Sequence, residues 1–154
     1  MNKMLSSSPC FKAGTKVLTK NGYVEIEKVS IGDEVLTHLN KWSLVKNVDS
    51  AENVGLWKIK TRNGFKFYVE PTHSFWCVSA NSSDFTDPMF KSVDMLTTND
   101  YLISLTKADG SGEISYEYDR IVNIEKTDRV TTVYGVEVED EPTLIVNDKV
   151  VYSL

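Results

Sequence analysis

Short runs of alternating apolar and polar residues, separated by turn signals, constrain the fold of this chain more than any other feature. The clearest run is the segment 56–70, in which Trp57 and Ile59 face one side while two lysines face the other. Within this segment, Asn63-Gly64 supplies the residues that a two-residue type I′ hairpin turn requires. No helical period is sustained over the length of a usual globular helix. The sequence therefore predicts an all-β domain.

Further strand-like runs follow one another at short intervals. They cover residues 17–19, 23–26, 31–36, 42–48, 100–105, 116–125, 131–138 and 143–152. Residues 81–87 are polar and predict a loop, and residues 91–96 predict one short helical turn. Residues 107–112, with two glycines and small polar side chains, are the most linker-like part of the chain.

Composition and charge exclude several classes of function. The 154 residues suffice for one domain with a core, and the net charge of −5 argues against a nucleic-acid partner. No apolar run approaches the ~20 residues that span a membrane. The opening nine residues lack the apolar region of a signal peptide, so we expect a cytoplasmic protein with reduced cysteines. No zinc-ligand spacing or phosphate loop occurs, and we expect a monomer without metal or cofactor.

Cys10 stands at an unusual place for a cysteine. It follows the Ser/Pro-containing segment 1–9 and opens the first strand-like run. A thiol there is badly placed for core packing but well placed to attack the peptide bond that joins it to Pro9. The other cysteine, Cys77, lies between Trp76 and Val78 and is interpreted as a core residue. His38 follows a strand and is interpreted as a solvated surface residue.

Four segments in a characteristic order resemble the Hint-domain family, which comprises inteins, bacterial intein-like domains and the hedgehog autoprocessing domain. They are the opening 10–15 (Cys-Phe-Lys-Ala-Gly-Thr), the segment 25–35, His73 just after a hairpin strand, and the ending 133–140 with the apolar runs 144–146 and 150–151. Residues 99–102 also resemble a strand start of that family. The opening is most similar to the bacterial intein-like members.

The resemblance implies a flattened, horseshoe-like all-β fold with pseudo-twofold symmetry, in which both termini meet at a central site. Residues 1–9 would be an N-terminal flank, residues 10–153 a Hint domain without an endonuclease insertion, and Leu154 a remnant of the C-terminal flank. Residues 107–112 occupy roughly the place where many inteins carry the endonuclease. The domain would therefore be minimal, or a split one whose halves are joined there.

The resemblance also implies a chemistry. Cys10 would attack the carbonyl of Pro9 and convert the Pro9–Cys10 amide into a thioester, and His73 would protonate the Cys10 nitrogen. The thioester would then react with a downstream nucleophile, an external thiol or water, so the substrate is the flanking polypeptide itself. Glu70 replaces the usual threonine three residues before the histidine. We expect its carboxylate to bond the scissile amide, orient His73 or keep it protonated.

The chain departs from the family pattern mostly near its C-terminal end. Tyr152 and Ser153 stand where a splicing intein has His-Asn, and serine has no side-chain amide to form a succinimide. Gly135 replaces a family aspartate, a late histidine is missing near Pro142, and Pro9 predicts a slow acyl shift. The domain would be natural and limited to N-terminal cleavage, or engineered to block splicing. Two other readings stay open: a degenerate Hint fold that serves binding or structure, and an unrelated small β-barrel.

Overall fold

The structure is a computed structural model that describes residues 10–153. The predicted flanks, including Pro9 and Leu154, lie outside the described residues. The strands are β1 Phe11–Lys12, β2 Lys16–Thr19, β3 Gly22–Glu25, β4 Glu34–Leu36, β5 Trp42–Thr61, β6 Lys66–Val69, β7 Ser74–Ser79, β8 Met89–Ser92, β9 Asp100–Leu105, β10 Tyr116–Val138, β11 Thr143–Val146 and β12 Lys149–Tyr152. Two 3-10 helices, Ile26–Lys28 and Val93–Met95, complete the described secondary structure. The predicted all-β class is confirmed.

Two long strands, β5 and β10, organise the molecule. The sequence predicted separate strands at 42–48 and near 56–61, and at 116–125 and 131–138, but β5 runs for 20 residues and β10 for 23. The two strands pair antiparallel along most of their length, from Val138 opposite Val45 to Ile121 opposite Thr61. Four register irregularities bend this ribbon. The polar segments between the predicted strands are therefore strand as well, because each long strand supplies the hydrogen-bond partners of the other's backbone N–H and C=O groups.

The hairpin between β5 and β6 is confirmed, but its turn is not type I′. Gly64 has a φ of 92°, whereas Asn63 is not among the residues with positive φ. The Gly64 N–H donates to the Thr61 carbonyl at 3.1 Å, and the Thr61 N–H donates to the Phe65 carbonyl at 3.0 Å. These bonds define a three-residue loop of the type I plus bulge kind. Asp119 accepts the Asn63 N–H at 3.0 Å and so holds the loop from outside.

The predicted linker at 107–112 is a closed loop organised by Asn40. The buried Asn40 side chain accepts the N–H groups of Asp109 and Gly110 at 3.1 and 3.0 Å and donates to the Glu113 carbonyl at 2.8 Å. Its own carbonyl accepts the Gly112 N–H at 2.9 Å. Because one side chain satisfies the polar groups of the loop, the segment is tied to the loop before β5 rather than left as a spacer.

Both ends of the described chain lie inside the sheet. The terminal strand β1 lies between β10 and β6, and β12 lies between β11 and β7. Cys10, Phe11 and Val151 belong to one buried apolar cluster, which also contains Phe67 and Phe75. The sheet therefore brings the two ends of the domain to one core, as predicted.

Of the burial predictions for Cys77 and His38, the first is confirmed and the second is wrong. Cys77 is fully buried, which confirms it as a core residue. His38 is half-buried rather than solvated: its Nδ1 lies 2.7 Å from the Thr143 hydroxyl, and its ring packs edge-on against Trp76 at 5.0 Å. Burial lowers the pKa of His38. Within residues 10–153, no helix is long and apolar enough to cross a membrane.

Candidate functional site

The backbone of Cys10 is fixed on both sides. Its N–H donates to the Tyr134 carbonyl at 3.2 Å, and its carbonyl accepts the Glu70 N–H at 2.9 Å. The next residue, Phe11, pairs with Tyr134 of β10 and with Val69 of β6. The peptide nitrogen that would leave in an acyl shift is therefore held by β10, with little freedom to rotate.

The Cys10 thiol is buried against a carboxylate. The residue is 2% exposed, and its Sγ donates to Glu70 Oε1 at 3.8 Å. Burial raises the pKa of the Cys10 thiol, and the charge of Glu70 and this hydrogen bond raise it further. The thiol is thus protonated at neutral pH, with a proton acceptor beside it.

The Glu70 carboxylate faces Cys10 and Thr72, not His73. Oε1 accepts the Thr72 N–H at 3.0 Å and also the Thr72 hydroxyl. The Cys10 nitrogen, for its part, bonds to Tyr134. Within residues 10–153, the hydrogen bonds of the Glu70 carboxylate go to Cys10 Sγ and Thr72, whereas the expectation was the scissile amide or His73. The turn after β6 explains this, because Thr72 turns the carboxylate back toward its own backbone.

His73 lies in the core beside Phe11. Its N–H donates to the Glu70 carbonyl at 3.1 Å, and its ring packs edge-on against Phe11 at 4.8 Å. Burial lowers the pKa of His73 to about 4, opposed by a hydrogen bond with the Tyr152 backbone. The prediction that Glu70 keeps His73 protonated is wrong, because desolvation dominates. The imidazole is neutral at pH 7.

The C-terminal residues close the same site from the other side. Tyr152 ends β12 opposite Thr143, contacts His73 through its backbone, and stacks its ring edge-on against Phe90 at 5.1 Å. Ser153 is 3% exposed, and its N–H donates to the Pro142 carbonyl at 2.7 Å. The structure thus brings Cys10, Glu70, His73 and Tyr152 into one cluster, with Ser153 directly after it.

Comparison with known proteins agrees with the fold described above. A family model described as a Hint domain matches residues 9–64. A mutant of the Ssp DnaB mini-intein variant M86 has a TM-score of 0.77 and 18% identity, covering 96% of this chain and 92% of that one. The DnaB intein of Synechocystis sp. PCC 6803 has a TM-score of 0.75 and 18% identity, covering 96% and 99%. The bacterial intein-like domain of Clostridium thermocellum has a TM-score of 0.73 and 23% identity, covering 96% and 100%.

The chain has the Hint fold. The resemblance inferred from the order of the four segments is confirmed at the level of the fold. Among curated proteins, no sequence matches the chain significantly.

The site also has a feature that sequence reasoning missed. A small cavity is lined by Phe11, Ile26, His73, Gly135, Val136, Leu144 and Tyr152. His73 Nε2 is buried and has no hydrogen-bond partner in the described part of the chain. The available signal was Gly135, since a glycine inside a strand often marks a close approach to another group.

Within residues 10–153, no group of three or more histidine, cysteine or carboxylate side chains could hold a metal ion.

Proposed function

We propose that the chain is an intein-type self-processing domain in which Cys10 attacks the carbonyl of Pro9 to form a thioester. The observation that carries the proposal is the clamped Cys10, whose N–H and carbonyl are held by Tyr134 and Glu70 while its thiol faces the Glu70 carboxylate. The Hint fold and its likeness to solved inteins support it. The substrate is then the polypeptide that flanks Cys10.

Protons must move twice in this acyl shift. As the Cys10 Sγ bonds to the Pro9 carbonyl carbon, the thiol proton passes to Glu70, which accepts the hydrogen bond from Sγ at 3.8 Å. As the carbon–nitrogen bond breaks, the Cys10 nitrogen takes up a proton, for which we propose His73 as the donor. Because the pKa of His73 is lowered to about 4, its charged form grows as the pH falls. The overall change in bound protons is zero.

The C-terminal step of splicing is proposed to be absent. Tyr152 is the last residue of β12, and Ser153 follows it. The resemblance puts His-Asn at these two positions. A serine side chain has no amide nitrogen to attack its own backbone carbonyl. We therefore propose cleavage at the Pro9–Cys10 bond as the outcome, rather than ligation of the flanks.

Thiol-induced release tests the proposal. The full chain is incubated with dithiothreitol and weighed by mass spectrometry, beside Cys10→Ala. We expect the wild-type protein to release residues 1–9 and leave a chain that begins at Cys10, while Cys10→Ala stays intact. Equal behaviour of the two proteins, with no release, would sink the proposal.

A second candidate function is a Hint fold without catalysis that serves binding or structure. The observation that favours it is the resting ionisation of the site: burial keeps the Cys10 thiol protonated and His73 neutral. It predicts that Cys10→Ala and His73→Gln change only stability. Any thioester chemistry that depends on Cys10 excludes it.

A further inference from the structure

The cavity beside His73 has the properties of a site for a small polar molecule. It has room for about one water molecule, and Gly135 can line it only through main-chain atoms. The residue His73 is 9% exposed, and its Nε2 lacks a hydrogen-bond partner in the described chain. Buried nitrogen atoms are rarely left without one, and ordered water often supplies it.

We propose that one water molecule occupies this cavity, hydrogen-bonded to His73 Nε2, and that it is the acceptor that hydrolyses the acyl group formed on Cys10. This inference rests on the proposed function. It goes further by naming the acyl acceptor and the residues that admit it. Gly135 and Tyr152 also line the cavity, and Gly135 does so with main-chain atoms.

The cavity lies one residue along both strands from the clamped backbone of Cys10. The Cys10 nitrogen lies 3.2 Å from the Tyr134 carbonyl oxygen. The residues that follow on each strand, Phe11 and Gly135, both line the cavity. The proposed water is therefore separated from the Cys10 backbone by one residue.

A second cleft neighbours the cavity and is more open to solvent. It is lined by Ile26, Val29, Tyr134 and Gly135 together with residues 48–50. Ile26 and Gly135 line both spaces. Because Gly135 borders both, a substitution at this position is the change used below to test access to the cavity.

The proposed hydrolysis balances as follows. The water oxygen attacks the carbonyl carbon of the thioester while one water proton passes to His73 Nε2. The carbon–sulfur bond breaks, and the Cys10 sulfur takes up that proton from the imidazole. The products are a carboxylic acid at Pro9 and a chain that begins with the amine and thiol of Cys10. A neutral imidazole is the form that can accept the proton.

The water site is tested by the ¹⁵N resonance of His73 Nε2. We compare the wild type with Gly135→Ala, which adds a methyl group at a residue that lines the cavity, and with Gly55→Ala, a strand glycine that has nothing within 4 Å of its added methyl. We expect the resonance to move to the position of a nitrogen without a hydrogen bond only in Gly135→Ala. Val136→Ile fills the same cavity from a neighbouring residue and should reproduce the shift. An unchanged resonance in both cavity variants overturns the water site.

The role of the water as acyl acceptor is tested by the ratio of two cleavage products. Each protein is incubated with mercaptoethanesulfonate, a thiol too large for the cavity, and the ratio of the Pro9 acid to the Pro9 thioester adduct is measured. We expect Gly135→Ala to lower this ratio at least tenfold and Gly55→Ala to leave it unchanged. An unchanged ratio with normal total cleavage overturns the acceptor role alone. If none of the proteins shows cleavage that depends on Cys10, the proposed function is overturned, and the acceptor role with it.

Discussion

Glu70 is the residue whose role differs most from its sequence-based interpretation. Its carboxylate lies 3.8 Å from the Cys10 thiol and accepts from Thr72, so it contacts the thiol rather than the histidine ring, and its role as a proton acceptor is a proposal. Nothing in the sequence indicated this orientation, because it depends on how the turn after β6 bends.

Replacing the Glu70 carboxylate by an amide should slow cleavage. Glu70→Gln keeps the shape of the side chain but removes the base, and loss of a general base typically costs 10²–10⁴-fold in rate. We expect thiol-induced release of residues 1–9 to slow by about 100-fold. The matched control is Glu52→Gln at an exposed position, which should leave the rate unchanged. Equal rates for Glu70→Gln and the wild type would remove Glu70 from the mechanism.

His73 should make the protein less stable in acid. Burial lowers its pKa from the ordinary 6.5 to about 4, so between these values the unfolded chain binds the extra proton and the folded chain does not. The contribution of His73 to stability is complete above pH 6.5 and is lost as the pH falls toward 4. Its size is about 3 kcal/mol.

The measurement is urea unfolding at pH 7 and pH 4 for the wild type and His73→Gln. Carboxylates titrate in both proteins, so the difference between them isolates the imidazole. We expect the free energy of unfolding of the wild type to fall by about 3 kcal/mol more than that of the variant. The same pH dependence in both proteins would contradict the depressed pKa.

At the level of elements, β12 carries the C-terminal side of the site and is anchored by a buried ion pair. Lys149 Nζ lies 3.0 Å from Asp119 Oδ2 on β10, donates to Ser104 on β9 at 2.9 Å, and sits over the Phe65 ring at 4.2 Å. The two charged side chains are 1% and 3% exposed. Tyr152, which contacts His73, follows three residues after Lys149, so this network fixes the strand that closes the site.

Breaking this pair from one side should be costly. Lys149→Met leaves the Asp119 charge buried without its partner, and we expect a loss of about 3–5 kcal/mol in the free energy of urea unfolding. The double variant Lys149→Met/Asp119→Asn removes both charges and should recover much of the loss. Lys58→Met is the control, since its partner Glu125 is half-exposed at 3.9 Å, and it should cost less than about 1 kcal/mol. A similar small cost for Lys149→Met would show that the buried pair does not anchor β12.

For the whole molecule, the sequence predicted the parts that depend on local pattern. Alternation predicted the all-β class and the hairpin whose loop contains Gly64. The position of Cys10 before the first strand predicted a thiol badly placed for core packing, which is wrong, since Cys10 is buried in the apolar cluster. The reactivity of the thiol stays a prediction. The predicted breaks inside β5 and β10 were wrong because strand continuity there comes from pairing between the two distant strands, not from their own alternation.

The electrostatics of the site could not be predicted from the sequence for a similar reason. The pKa of His73 is set by its burial against Phe11 and Phe75, which lie on two different strands. Likewise, nothing in the run 148–152 shows that Lys149 is buried, because its partner Asp119 is 30 residues earlier in the chain. Charge and burial at these positions result from the tertiary fold.

The central claim is that Cys10 carries the acyl group of Pro9 as a thioester. The most direct measurement is the ¹³C resonance of a labelled Pro9 carbonyl in the full chain, in the wild type and in Cys10→Ala. In the wild type only, we expect a minor thioester resonance beside the amide resonance. This thioester resonance should disappear on addition of dithiothreitol as residues 1–9 are released. An amide resonance alone in both proteins, unchanged by the thiol, would contradict it.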